Sequence, residues 1–357
     1  MIKGLSSDLL KKCTMIESKL TVIKYFIGID VSKATFNYCL RYGGRYVVNG
    51  KVANNVESIQ EFVETLKEIQ GFKLGYAVFG MEVTGVYGLI LMNTLTKMKA
   101  KVIVEPSTRI KNSLGIIRGK NDKLDAARIA RYLIKNLQEL KLWLPRRKII
   151  DELSSLSTLR ERMVKIGTII TTPLNEDINF IDPYISAANI KLCNPSIIQI
   201  EQLITNIDLR IKTLYKNDER CNRLMKIMLS VMGIGDVTAL QILIHTNEFK
   251  TITNARTFAS YCGIAPFEYE SGTSVKRRAR VSPFANKRIK SLLHNGVRAC
   301  IGSDQEIKAY YKRRVEVDKK NKMSTMNAIK FKLICRVFAC IRGDRLYEKG
   351  YVSFKPI

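Results

Sequence analysis

Tyr25-Phe26-Ile27-Gly28-Ile29-Asp30-Val31 is a short apolar run that closes on glycine, isoleucine and an acid, and the reading of the first third of the chain turns on it. Its length and β-branched content predict a buried strand. Residues 35–41 and 46–53 follow, rich in aromatic and β-branched side chains and separated by polar breaks with Gly43-Gly44, so the three segments read as a meander. Val56, Ile59, Phe62, Val63 and Leu66 then recur at helical spacing. A strand over 74–81, a helix over 86–98, a strand over 101–104 and a helix over 123–136 complete the series. Strands alternating with helices imply an α/β sheet.

Leu142-Trp143-Leu144-Pro145 and the basic Arg146-Arg147-Lys148 mark a boundary, which gives an N-terminal domain over 1–147. Beyond it, Ile149, Leu153, Leu156, Leu159, Met163, Ile166 and Ile170 recur at spacings of three and four. A second such seam, Ile200, Leu203, Ile207, Ile211 and Leu214, follows a break bounded by Pro173 and Pro195. Two long helices are expected over 148–225, either as a coiled-coil-like hairpin that meets a partner or packed on a domain core. Residues 226–357 read as mainly helical, with a polar loop at Ser271-Gly272 and helices over 287–299 and 328–341.

Across 357 residues, 60 Lys and Arg against 32 Asp and Glu leave a formal charge of +28, although hydrophobic content is an ordinary 46%. The chain is long enough for two or three domains, and its composition excludes disordered, collagenous and disulfide-scaffold classes. A charge of this size points to a polyanionic partner, with nucleic acid first. From Ser271 to the end there are 22 Lys and Arg against 6 Asp and Glu, which makes the tail the expected nucleic-acid face. The eight cysteines form no CxxC pair, and with two histidines they make no zinc set, so they read as reduced core residues. No secretory leader and no run of 18 uncharged apolar residues is evident, so a cytoplasmic protein without a membrane span is expected.

Three separate elements present acids. Asp30 and Glu82 close apolar strands, and Asp122 and Asp125 lie three apart at a helix start. The carboxyl ends of parallel strands share one edge of a sheet, so these acids can converge. An acid in such a place also serves as a loop residue or as a charge at a helix N-terminus. Clustered, four carboxylates would raise one another's pKa unless a hard cation bound among them, and oxygen-only ligation suits Mg²⁺ or Mn²⁺. Two such ions can activate an attacking oxygen and stabilise a leaving one, which is phosphodiester chemistry without histidine.

Gly28-Ile29-Asp30-Val31-Ser32-Lys33, Met81-Glu82-Val83-Thr84-Gly85-Val86-Tyr87 and Lys120-Asn121-Asp122-Lys123-Leu124-Asp125-Ala126 resemble, in order and spacing, the three acidic motifs of the Piv-like DEDD transposases and recombinases of bacterial insertion sequences. The resemblance implies an α/β RNase H-like (RuvC-like) N-terminal domain in which Asp30, Glu82, Asp122 and Asp125 bind the catalytic metal. It further implies a mainly α C-terminal transposase domain, while the helical, coiled-coil-like middle matches the family in type only.

Gly233-Ile234-Gly235 followed by a helix has the shape of a helix-hairpin-helix-like element, whose backbone amides can approach a phosphate; the same glycines also serve ordinary tight turns. Residues 258–266, Glu270-Ser271-Gly272 and the basic Lys276, Arg277, Arg278 and Arg280 resemble the second domain of the same family. There the serine before glycine is the nucleophile, which by resemblance is Ser271. An unactivated hydroxyl needs a base or a metal. Lys287, Arg288, Lys312, Arg313 and Arg314 join the expected nucleic-acid contacts, and Tyr310 and Tyr311 are placed either to stack on bases or to fill a core. Many relatives carry Lys-x-Gly-Asn where this chain has Pro283-Phe284-Ala285-Asn286, so the glycine is lost while Asn286 remains as a helix cap.

Family likeness covers 26–133 and 232–299, with a weaker trace over 310–347. It implies a transposase acting on element ends and target DNA as a dimer or tetramer at the bacterial nucleoid, with an RNA from the element pairing with both DNAs. Two other readings fit the residues: a RuvC-like metal nuclease or junction resolvase in which Ser271 is structural, and a non-catalytic nucleic-acid-binding protein.

Overall fold

The computed structural model describes residues 23–83, 85–115, 122–176, 180–271 and 275–350, and for 122–123, 269, 271 and 275–278 the backbone alone. Two units divide the chain, residues 1–145 and 146–357.

In the first unit the apolar run forms β1 (Tyr25–Val31), which pairs antiparallel with β2 (Thr35–Tyr42), and β2 pairs antiparallel with β3 (Arg45–Ala53). After α1 (Val56–Lys67), β4 (Ala77–Glu82) returns beside β1 in parallel; α2 (Gly88–Lys97) leads to β5 (Lys101–Glu105), parallel to β4. The sheet order is therefore β3-β2-β1-β4-β5. Two helices close the unit, α3 (Ser107–Ser113) and α4 (Asp122–Asn136). Central strands are covered on both faces, so β1 is buried along almost its whole length. Tyr25, Ile27, Ile29 and Val31 meet Ile59, Phe62 and Leu66 of α1 and Leu91 and Leu95 of α2. On the other face Phe26, Val78 and Ile103 meet Ile129, Tyr132 and Leu133 of α4.

The second unit begins with α5 (Lys148–Glu176) and α6 (Pro183–Asn217). Ion pairs Glu152–Arg210 and Arg160–Asp208 run in opposite order along the two helices, which makes the pair antiparallel. Pro173 and Pro195, expected to bound a break, lie inside these helices. Both are exposed, where water can take the carbonyls that proline leaves without a donor, and the length of each helix outweighs that cost. Ile150, Leu153, Ile207 and Ile211 join the core of the second unit, so the long helices belong to it.

α7 (Glu219–Leu229), α8 (Asp236–His245) and α9 (Ala255–Tyr261) follow. A hairpin of β6 (Pro266–Ser271) and β7 (Val275–Val281) comes next, where the sequence suggested only a polar loop. The chain continues in α10 (Lys287–Ser303), α11 (Gln305–Lys312), a π-helical turn (Arg313–Val317) and α12 (Lys322–Arg342). Among the described residues the cysteines are free, five of them buried. No described helix is long and apolar enough to cross a membrane.

Candidate active site

Side chains alternate along a strand, so the even-numbered residues of β1 and β4 share the face that α4 covers. Asp30 and Glu82 continue that face, each half-buried, one step beyond the paired positions Ile29 and Met81. Adjacent strands run roughly 5 Å apart, so the two acids emerge side by side at the carboxyl ends of parallel strands. α4 supplies the rest: Asp122 is its first residue and Asp125 stands three residues on.

Small residues allow that helix to come close. A Cβ on Gly28 would lie 2.1 Å from the Ala126 carbonyl oxygen and 2.3 Å from the Ala130 nitrogen, while one on Gly80, the register partner of Gly28, would meet Leu133 at 2.6 Å. Cys39, Ala126 and Ala130 line the same seam. A larger side chain at Gly28 would lift α4 and carry its acids with it.

Burial pushes the Glu82 carboxyl up, the charge of Asp125 adds to this, and Lys111 opposes it. Asp125 is held by Arg128 at 2.6 Å. Among the described residues no three acidic, histidine or cysteine side chains close around one point; the Asp122 carboxylate lies outside that set. The donors fit a hard divalent cation: all are oxygens, and a positive ion would relieve the strain that burial and Asp125 place on Glu82. Mg²⁺ is commonly held by one or two carboxylates together with substrate phosphates, which suits an open set of this kind.

A fifth acid stands at the same edge. Glu105, the register partner of Glu82, is 6% exposed and accepts from Arg109 Nη1 on both oxygens at 3.1 Å. Burial drives its carboxyl up and Arg109 pulls against it. The apolar pattern of the sequence places the end of this strand at Val104, so Glu105 is not among the expected acids; its signal is an acid directly following a run of β-branched residues.

In the second unit Ser271 is the last residue of β6 and pairs with Val275, with Gly272 outside the described residues. Lys276, Arg277 and Arg280 stand across from Glu270, Tyr269 and Phe267, so β7 lays a basic strand beside the one that carries the serine; Arg278 belongs to the same strand. The side chains of Ser271 and of Lys276, Arg277 and Arg278 lie outside the described set, and Arg280 is exposed.

Gly233 has φ +87°, and a Cβ there would strike Cys300 Sγ at 2.4 Å, so packing against α10 accounts for this glycine. Gly235 opens to free space at the start of α8. Lys287 is exposed, whereas Arg288 is engaged by Glu161 at 2.5 Å. Lys312 is exposed, Arg313 lies 5.6 Å over the Tyr310 ring, and Arg314 faces Asp318 at 3.7 Å. Tyr310 and Tyr311 are half-buried against the core of the unit, and Lys332 also approaches the Tyr310 ring, which leaves that ring little room to stack on a base.

Sequence reasoning also missed a cluster at the foot of the hairpin. Tyr261 Oη lies 2.8 Å from His245 Nδ1, and the Asn286 amide nitrogen lies 3.2 Å from the same phenol oxygen. Positions 16 and 25 residues apart give no local signal of such a meeting.

Known proteins match the chain in both of its units. Residues 27–172, which carry all four acids, match a transposase family of the DEDD type named for IS110, and residues 225–312, which carry the hairpin, match the transposase IS116/IS110/IS902 family. The chain is 29% identical over 333 residues to pilin gene-inverting proteins of Moraxella bovis and Moraxella lacunata, covering 91% of this chain and 98% of each relative. It is also 26% identical over 125 residues to an uncharacterized 43.6 kDa protein of insertion element IS110 from Streptomyces coelicolor, covering 35% of this chain and 30% of that one. With both domain matches in order over about two thirds of its length, the chain belongs to the IS116/IS110/IS902 transposase family, the group of DNA recombinases that includes the Piv-like inverting proteins.

Proposed function

We propose that this transposase cuts and rejoins DNA at specific sites with a divalent metal held by Asp30, Glu82, Asp122 and Asp125 and with Ser271 as the nucleophile. The observation that carries the reading is the emergence of Asp30 and Glu82 on one face, beneath the helix whose first turn bears the other two acids. The first unit is then an RNase H-like catalytic domain, and the turn between α7 and α8 acts as the helix-hairpin-helix-like element. Mg²⁺ or Mn²⁺, when bound, supplies Lewis acidity toward phosphate oxygens.

The rest of the chemistry falls to the protein's own groups. The Ser271 oxygen bonds to phosphorus as the bond from phosphorus to the deoxyribose oxygen breaks; the serine gives up its proton and the departing sugar oxygen takes one. Attack by a second DNA hydroxyl reverses the step and releases the serine. Lys276, Arg277, Arg278 and Arg280 offset the phosphate charge that builds in each transfer. Gly233, Gly235, Lys287, Arg288, Lys312, Arg313 and Arg314 hold DNA, the element's ends and its target, and an element-encoded RNA. The active form is a dimer or tetramer in which acids of one subunit serve the serine of another.

The test is a recombination assay in cells with the native flanking DNA, sequencing the junctions formed by the unaltered protein and by Asp30→Ala and Ser271→Ala. Loss of joined products in both variants is expected. Recombination that survives Ser271→Ala removes the serine from the mechanism and favours a nuclease that uses water; recombination that survives Asp30→Ala removes the metal site.

A further inference from the structure

Three chain turns meet at the foot of the β6–β7 hairpin: α8 ends on His245, α9 ends on Tyr261, and Asn286 caps α10. Asn286 N–H donates to the Tyr261 carbonyl at 2.9 Å, which fixes the two turns to each other.

The direction of each proton follows from the cap. Asn286 Oδ1 accepts from Ile289 N–H at 3.1 Å, so its amide NH₂ is the group that faces Tyr261 Oη at 3.2 Å and His245 Nε2 at 3.4 Å. An NH₂ group only donates. His245 Nε2 therefore accepts, the ring carries its proton on Nδ1, and Nδ1–H donates to Tyr261 Oη at 2.8 Å. A ring with one proton agrees with its setting: burial, with Arg146 and Arg288 adding to it, brings His245 down to about 4. Tyr261 Oη thus accepts twice, and its own hydrogen must point away from both donors.

Tyr261 is 37% exposed, and among the described residues no protein acceptor takes that hydrogen. Arg146 stands near enough to act on both His245 and Tyr261, is exposed, and has no acidic partner among the described residues. Lys287, next to Asn286, is exposed as well. The nearby carboxylate of Glu161 is taken by Arg288. The cluster therefore offers a fixed neutral donor beside unpaired positive charge, which is what an anionic oxygen acceptor needs.

We propose that the Tyr261 hydroxyl, aimed by His245 and Asn286 and flanked by Arg146, binds a non-bridging oxygen of a nucleic-acid phosphodiester at the foot of the hairpin that carries Ser271. This rests on the nucleic-acid reading above and adds to it a contact that does not depend on charge. Tyr261 is a positioning residue here: it holds a backbone phosphate while chemistry proceeds elsewhere.

The experiment measures binding of the full chain to a labelled DNA duplex carrying an element end and to a labelled RNA hairpin, across a salt series, for the unaltered protein, Tyr261→Phe and Arg146→Ala. Tyr261→Phe keeps the ring that packs 6.1 Å from Phe258 and removes only the donor. It should weaken binding about tenfold, the loss expected for one hydrogen bond to a charged group, and the polymer affected identifies the source of the phosphate. Its dependence on salt should stay unchanged, because no charge is lost, whereas Arg146→Ala should flatten the slope by about one.

Unaltered affinity of Tyr261→Phe for both polymers overturns this proposal and leaves the nucleic-acid reading standing. Failure of the unaltered protein to bind either polymer overturns that reading and the proposal with it. A second readout uses only the unaltered chain: nitrogen NMR of His245 should show the proton on Nδ1, and a proton on Nε2 would turn the tyrosine hydrogen inward and refute the arrangement.

Discussion

Gly28 of β1 and Ala126 of α4 stand so close that a Cβ on the glycine would lie 2.1 Å from the Ala126 carbonyl oxygen. The acidic motifs at Asp30 and Asp125 are thus joined by a steric condition as well as by chemistry. Gly28→Ala should cost about 1–3 kcal/mol, as overpacking of a rigid backbone contact does, and should abolish DNA cleavage while the protein is still folded. Gly75→Ala, where a Cβ meets open space, should leave both unchanged. Thermal unfolding and a cleavage assay on the same preparations check this.

Glu82→Gln should leave the fold as stable as before or slightly more stable, because the carboxylate it replaces is half-buried beside Asp125. Cleavage should fall by about a hundredfold or more. Titration with Mg²⁺ should raise the melting temperature of the unaltered protein and not that of the variant. An equal rise in both would remove Glu82 from the metal site.

How much of this was legible in the sequence depends on where the controlling force is local. The run 25–31 and the glycine and acid that close it are readable because burial on both faces leaves a short apolar segment. The hairpin was not: in Val275-Lys276-Arg277-Arg278-Ala279-Arg280-Val281 an arginine interrupts the one apolar face and charge fills the other, and the strand is defined by its pairing with β6. Pro173 and Pro195 suggested a break because proline is costly in a helix, but at exposed positions two long helices absorb it. Gly233 could be read as a turn from its neighbours, while its contact with α10, residues 287–303, is a tertiary fact.

A buried charge network should dominate the stability of the second unit. The Glu248 side chain is fully buried and bonded by Arg147 at 2.6 Å, Lys250 at 2.7 Å and Arg220 at 3.1 Å; Arg147 also bridges to Asp218 at 2.7 Å. Asn247, Glu248 and Phe249 all have positive φ, a costly turn that this network holds. Arg147→Ala should destabilise by about 2–4 kcal/mol, since it leaves the buried Glu248 short of a partner while Lys250 and Arg220 remain. Urea unfolding of the full chain measures it, and a loss under about 1 kcal/mol would show the network to be incidental.

His245 gives a pH dependence whose sign is fixed. Its folded pKa of about 4 lies below the ordinary value of 6.5, so the unfolded chain binds the proton more readily. Stability should therefore fall as pH drops from 6.5 toward 4, by on the order of 3 kcal/mol from this residue. His245→Gln should lose that component, seen as a shallower decline in melting temperature over the same range. Parallel curves would mean that His245 titrates normally in the folded protein.

In the proposed mechanism, acids on the first unit and Ser271 on the second carry out one reaction. The most direct measurement is to incubate the protein with element-end DNA and Mg²⁺, denature rapidly, and map any covalent protein–DNA adduct by mass spectrometry. An adduct on Ser271 is expected, absent from Ser271→Ala and from Asp30→Ala. Cleaved DNA with no adduct, produced equally well by Ser271→Ala, would contradict it.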